Sequence, residues 1–132
     1  MKLYLVQHGP AATKEEDPDR PLTAPGHALV GRVAEALART GAVRPAEIRH
    51  SGKLRARQSA EALATGLGLE VAITAAPDLG PTDDPQDAAA ALAGENQDLM
   101  LVGHLPHLGR REQPGGVRRP LDAGARARAV GF

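Results

Sequence analysis

The chain contains no cysteine and no tryptophan, and its aromatic side chains amount to one tyrosine and one phenylalanine in 132 residues. Without cysteine there is no disulfide and no thiol chemistry, and a reducing compartment suits the chain, so a cytoplasmic placement is expected. With so few aromatics, any core has to be assembled from Ala, Leu and Val. Sixteen basic residues balance sixteen acidic ones, so no net charge draws the chain as a whole to nucleic acid or to a membrane surface. No apolar run approaches the ~20 residues of a membrane span, and the strand-like start does not have the form of a signal peptide. A chain of this length can bury one core, and a single small domain is expected.

What is present is an alternation of strand and helix signals. Strands are expected at 2–7, 46–50, 70–74 and 98–102, and helices at 23–39, 53–67 and 85–94, with a further helix starting at 106. A polar loop covers 10–22, and its stretch Lys14-Glu15-Glu16-Asp17-Pro18-Asp19 reads as a solvated acidic segment. Thr23 is placed to cap the first helix, Leu29, Val30, Val33 and Leu37 mark its buried side, and Gly41 ends it. Such an order predicts an α/β fold: a mostly parallel sheet with helices on both faces, in three layers.

Three segments carry chemistry. Leu3-Tyr4-Leu5-Val6-Gln7-His8-Gly9 is an apolar strand running into a histidine and a glycine. Its apolar residues need not alternate if both faces of the sheet are covered, and ligands of open α/β sheets bind beyond the carboxyl ends of strands, where His8 falls. Gly9 allows close backbone approach to a bound group. Arg49-His50-Ser51-Gly52-Lys53-Leu54-Arg55-Ala56-Arg57-Gln58-Ser59-Ala60 joins a short strand to a helix, with Ser51 placed as its cap and Ala56, Ala60, Leu63, Ala64 and Leu67 forming one apolar face. Free N–H groups and the positive dipole end at such a helix start make an anion site, and the Arg55 fork can grip phosphate in a bidentate way. Asp98-Leu99-Met100-Leu101-Val102-Gly103-His104-Leu105-Pro106-His107 is a second apolar strand ending in Gly-His, with Pro106 suited to open a helix. Two strand-terminal histidines and an arginine-bearing helix start at one sheet edge describe a phosphate pocket.

With these pieces the chain resembles the histidine phosphatase, or phosphoglycerate mutase-like, superfamily, and within it the short SixA-type phosphohistidine phosphatases. The resemblance rests on Leu5-Val6-Gln7-His8-Gly9, on Arg20-Pro21-Leu22-Thr23-Ala24-Pro25-Gly26, on His50 to Ala60, on Val102-Gly103-His104-Leu105-Pro106 and on Leu79-Gly80-Pro81-Thr82-Asp83-Asp84-Pro85. It implies a phosphatase in which His8 is the nucleophile that becomes phosphorylated, and Arg55 and His104 hold the phosphoryl oxygens as charge shifts in the transition state. Gln7, Gly9 and Ser51 complete the expected phosphate-binding set. The resemblance implies no metal and no cofactor. Its expected partner is a phosphorylated protein of the histidine phosphotransfer type or a small phosphomonoester, with no nucleic acid and no membrane, and a monomer or weak oligomer. His107 lies too far along to match the motif.

Three departures qualify the resemblance. Gln7 stands where the commonest family motif has arginine, which keeps hydrogen-bond donors but loses a charge. Pro10 replaces the usual acidic residue after His-Gly, so the general acid falls to Asp83 or Asp84, with Glu15 and Glu16 behind them. N-phosphorylated imidazole is a good leaving group and needs a strong acid less than an alkyl phosphate does, which favours phosphohistidine as substrate. The alternatives are a small-molecule phosphomonoesterase and a non-catalytic or vestigial phosphate-binding protein. The last departure is compositional. Residues 110–132 hold six Arg against two acids, whereas the preceding 109 hold ten basic against fourteen acidic residues. We expect a histidine phosphatase-like domain over 1–109 and an atypical, poorly ordered Arg/Gly-rich tail over 110–132, of the kind a changed reading frame or truncation produces. That tail lacks the aromatics that nucleic-acid stacking requires. No final apolar strand is expected, and the C-terminal elements of the fold are incomplete.

Overall fold

A computed structural model describes residues 2–76, 79, 96–104 and 126–130. They form an α/β fold around a five-stranded sheet in which each pairing is parallel. In chain order the elements are β1 (Lys2–Gln7), α1 (Ala24–Thr40), β2 (Glu47–His50), α2 (Leu54–Leu67), β3 (Ala72–Ala75), β4 (Leu99–Gly103) and β5 (Arg126–Val130). Across the sheet they run β3-β2-β4-β1-β5. The helix expected at 85–94 and the helix start at 106 lie outside the described residues.

This order explains the layers. From β1 the chain steps to β2 and then to β3 in one direction, and right-handed crossovers taken in one direction share a face. Val30 and Ala34 of α1 and Ala56, Ala60, Leu63 and Ala64 of α2 indeed pack in one cluster on Tyr4, Val6, Ile48, Met100 and Val102. After β3 the order turns back, with β4 between β1 and β2, and the opposite face of the sheet carries a second cluster. Ala76 and Leu79 pack there, on Leu3, Leu5, Leu99 and Leu101. Consecutive residues of β1 and β4 thus serve opposite layers, and the uninterrupted apolar runs of both strands follow from burial on both sides.

The helices are built as their sequences indicate. Thr23 Oγ1 accepts the Gly26 N–H at 2.9 Å, Pro25 occupies the first turn, and Gly41 closes α1 in the left-handed conformation at φ 67°. The small stripe Gly26–Val30–Ala34 is the buried one, with Val33 and Leu37 half-buried. Ala34 meets α2 at Gly66, where a Cβ would collide with the Ala34 side chain. The lone tyrosine is buried within this layer, and its hydroxyl donates to the Ala42 carbonyl at 3.0 Å.

Two expectations are corrected. Ser51 does not cap α2: Lys53 is the N-cap residue, without a side-chain cap bond, and the Ser51 hydroxyl is engaged elsewhere. The end of the chain is not without a strand, because β5 pairs along the free edge of β1, Lys2 opposite Arg126 through Val6 opposite Val130. Backbone pairing to an open edge requires no apolar run, which is why an Arg-Ala alternation could form it unnoticed. No helix among the described residues is long and apolar enough to cross a membrane.

Candidate active site

The strand order reverses where β4 enters between β1 and β2, and in open α/β sheets that is where ligands bind, beyond the carboxyl ends of the strands. Register fixes what is delivered there. Gln7 pairs with Gly103 and His50 with Val102, so His8, His104 and Ser51 leave three neighbouring strands at one edge. The His8 N–H continues the ladder onto the Gly103 carbonyl at 3.0 Å. The imidazoles of His8 and His104 lie with centroids 4.9 Å apart and planes tilted by 59°.

Each ring is held differently. His8 Nδ1 lies 2.7 Å from the Gly9 carbonyl oxygen, which can only accept, so Nδ1 carries the proton and the lone pair sits on Nε2. Arg55 Nε–H donates to that Nε2 at 3.3 Å. Burial, with the charges of Arg55 and Arg20 adding to it, holds His8 below the ordinary imidazole value of 6.5 despite the opposing Gly9 bond, so the ring is neutral at pH 7. His104 is almost fully buried, and its Nε2 shares a 2.6 Å hydrogen bond with Ser51 Oγ. Ser51 thereby positions His104, while its Oγ also accepts the N–H of Lys53, the N-cap residue of α2, at 3.4 Å.

The turn carrying His8 is pinned to α2. The Gly9 N–H donates to Ser59 Oγ at 2.9 Å, and Ser59 donates onward to the Arg55 carbonyl at 2.8 Å. Gly9 is buried, and a Cβ on it would lie 2.6 Å from Val30 Cγ2. Packing against α1 therefore also requires a bare residue at Gly9. Arg55 itself is 9% exposed, and burial lowers its guanidinium pKa, with the nearby charge of Arg20 adding to the shift.

Residues 10–23 form a loop closed at its base, whose acidic segment Lys14–Asp19 is largely exposed, as the sequence indicates. The Ala12 N–H donates to the Pro21 carbonyl at 2.8 Å, Thr23 N–H to the Pro10 carbonyl at 3.1 Å, and Ala11 and Leu22 bridge. Gln58 Oε1 accepts the Leu22 N–H at 2.8 Å, tying the loop to α2. Within it Arg20 has φ 50°, the one non-glycine with positive φ among the described residues, and its Nε–H donates to the Ala12 carbonyl at 2.9 Å. Between loop, strand ends and α2 lies an open pocket of about 750 Å³ lined by Gln7, His8, Arg20, Lys53, Arg55 and His104 among others.

His8, Arg55, His104 and Gln7 thus meet at one pocket, and Ser51 reaches it through His104. Asp83 and Asp84 lie outside the described residues, as do Leu105, Pro106 and His107. Of the acids held in reserve, Glu16 is exposed and accepts from the Thr13 N–H and hydroxyl, which lowers its pKa and keeps it ionised. Among the described residues no group of three His, Asp or Glu side chains could hold a metal ion. Sequence reasoning assigned no role to Arg20 or Ser59. Arg20 carried one signal, a residue kept out of the right-handed helical region by the proline that follows it. Ser59 carried none.

A sequence profile of the histidine phosphatase superfamily (branch 1) matches residues 3–79. No curated protein sequence matches the chain. Among solved structures, the protein histidine phosphatase SixA complexed with tungstate is 28% identical, with TM-score 0.72 over 87% of this chain and 78% of the other. A phosphohistidine phosphatase SixA assignment from Agrobacterium tumefaciens is 27% identical, with TM-score 0.71 over 86% of this chain and 77% of the other. A protein from Thermus thermophilus, at 22% identity and TM-score 0.51 over 80% of this chain and 79% of that one, shares the fold.

Proposed function

The chain belongs to the histidine phosphatase superfamily, and on that premise we propose that it hydrolyses phosphohistidine on a protein through a phosphoryl group held transiently on His8, without a metal. The observation that carries this reading is the state of His8. With Nδ1–H bonded to the Gly9 carbonyl, Nε2 offers its lone pair to a pocket that Arg55 and His104 also line.

In the first step Nε2 attacks phosphorus, the bond from phosphorus to the substrate imidazole breaks, and that imidazole, protonated on its other ring nitrogen, departs neutral. In the second step water attacks the phosphorus on His8, the Nε2–P bond breaks, and inorganic phosphate leaves with the water's proton shed to phosphate or solvent. His8 keeps its Nδ1 proton throughout and so departs as the same neutral tautomer. Neither departure needs a strong acid, which suits a chain with Pro10 where an acid is usual. Arg55 supplies positive charge, and Arg55 and His104 supply donors, to the equatorial oxygens, where phosphoryl transfer needs them. Ser51, able to donate or accept, keeps His104 aimed while an oxygen arrives. Gln7 contributes a neutral donor.

A protein substrate is favoured by the kinship with a structure described as a protein histidine phosphatase. The test is a direct competition: turnover of a histidine-phosphorylated phosphotransfer protein against p-nitrophenyl phosphate. A kcat/KM higher for the protein by orders of magnitude is expected. Preference for the small ester would replace this reading by that of a phosphomonoesterase, and failure to turn over either would leave a phosphate-binding protein.

A further inference from the structure

We propose that Arg20 is the second guanidinium of the phosphoryl site, supplying from the 10–23 loop the charge that Gln7 does not supply from β1. The proposal rests on the phosphatase reading above and goes beyond it in naming a ligand.

The first observation is conformational. Arg20 is the one non-glycine with positive φ among the described residues. An unbranched but bulky side chain is disfavoured there, and Gly, Asn or Asp would adopt the conformation at less cost. Strained residues of this kind persist where the surroundings over-determine them, and they cluster at ligand clamps. Here the surroundings do so: Arg20 N–H donates to the Asp17 carbonyl at 2.9 Å, the Ala12 and Pro21 backbones close the loop beside it, and its own Nε–H is fixed on the Ala12 carbonyl. Fixing Nε leaves the two terminal nitrogens, the half of the fork that grips an oxyanion, without a described partner.

The second observation is electrostatic. Arg20 and Arg55 line the same pocket, and the ion pair found among the described residues is Arg49–Glu47, at neither of them. The Arg20 charge depresses both Arg55 and His8. Two guanidinium groups facing one pocket, one of them nearly buried, repel each other and are relieved when a multiply charged anion enters. The third observation is the neutral Gln7 in the pocket wall. With Gln7, Arg55 alone would be the arginine on the phosphoryl group; with Arg20 there are two lining the one pocket, one from the 10–23 loop and one from α2.

The test uses the full chain and orthovanadate as the probe, with affinity read by isothermal titration calorimetry and stability by thermal melting. Arg20→Asn accepts the left-handed conformation and should keep the melting temperature while weakening vanadate about 10- to 100-fold, the loss expected for a charge-assisted pair. Arg20→Lys, which keeps the charge but not the fork, should fall between. Gln7→Arg placed in the Arg20→Asn background should recover most of the affinity. Wild-type affinity in Arg20→Asn, or no recovery with Gln7→Arg, overturns the proposal; if Arg20→Asn fails to fold, Arg20→Lys decides on the same readout. Since vanadate affinity does not depend on which phosphorylated molecule is turned over, the proposal can stand if phosphohistidine is not the substrate.

Discussion

The carboxyl ends of β1 and β4 invite comparison because register makes them equivalent. Both strands are buried on both faces, Gln7 pairs with Gly103, and each strand hands over a histidine at the next position. Yet the two ends are wired differently. His8 is half-buried and bonded through Nδ1 to a backbone carbonyl, with Nε2 open to the pocket and to Arg55. His104 is buried and bonded through Nε2 to the hydroxyl of Ser51, which can reverse its role. A carbonyl fixes one tautomer; a hydroxyl tolerates both. The comparison teaches that equivalent topology does not make equivalent chemistry. The partner of the ring suits His8 to be a nucleophile and His104 to be a donor whose proton can shift.

If that division is right, the largest effect falls on His8. His8→Ala is expected to abolish turnover and to prevent acid-labile, alkali-stable labelling by a phosphate donor; more than a trace of residual activity would end the covalent scheme. His104→Ala should instead leave labelling possible but slow it 10²- to 10³-fold, about 2.7–4 kcal/mol of barrier, the cost of one lost transition-state donor. Single-turnover labelling of His8 checks this, and complete loss of the label would mean that the two rings are not divided as described. Ser51→Ala should be milder, about 1 kcal/mol or a several-fold loss of kcat/KM, recovered by Ser51→Thr; a loss as large as that of His104→Ala would make the hydroxyl itself a phosphate ligand.

The smallest effect is a shift in pH dependence. His8 binds its proton more weakly in the folded chain than a free imidazole does, through burial and then through Arg55 and Arg20. The neutral nucleophile therefore persists below pH 6.5, and the acid limb of kcat/KM is expected below that value. The same sign governs stability. The unfolded chain takes up protons first as pH falls, so the contribution of His8 is full above 6.5 and declines as pH drops toward the folded value. His50, lowered by burial and then by the charge of Arg57 against the opposing Glu61, acts in the same direction. An acid limb at or above 6.5 would place another group in control.

Much of this was legible in the residues. Runs such as Leu3 to Val6 and Leu99 to Val102 mark strands covered on both sides, and Thr23 and Gly41 bound α1 where sequence places them. His8, Arg55 and His104 converge because strand ends and a helix start share one edge, which an α/β order dictates. What escaped depended on contacts far apart in sequence. Ser51 suits a helix cap, and only the arrival of His104, 53 residues on, shows that its hydroxyl goes elsewhere. Arg20 reads only as the first residue of a motif, and it is the loop closure from Ala12 to Pro21, with its Nε–H on the Ala12 carbonyl, that sets it at the pocket. β5 carries no apolar signature because its pairing is with the backbone of β1.

The bond from His8 Nδ1 to the Gly9 carbonyl has one more consequence, in regiochemistry. An imidazole can be phosphorylated at either nitrogen, giving two constitutional isomers that phosphorus NMR separates. A carbonyl 2.7 Å from Nδ1 blocks that nitrogen by proton and by bulk. Any phosphoryl group trapped on His8 should therefore be the Nε2-linked isomer alone, so that a single resonance from the labelled chain reports a hydrogen bond too short-ranged for mutagenesis of side chains to reach.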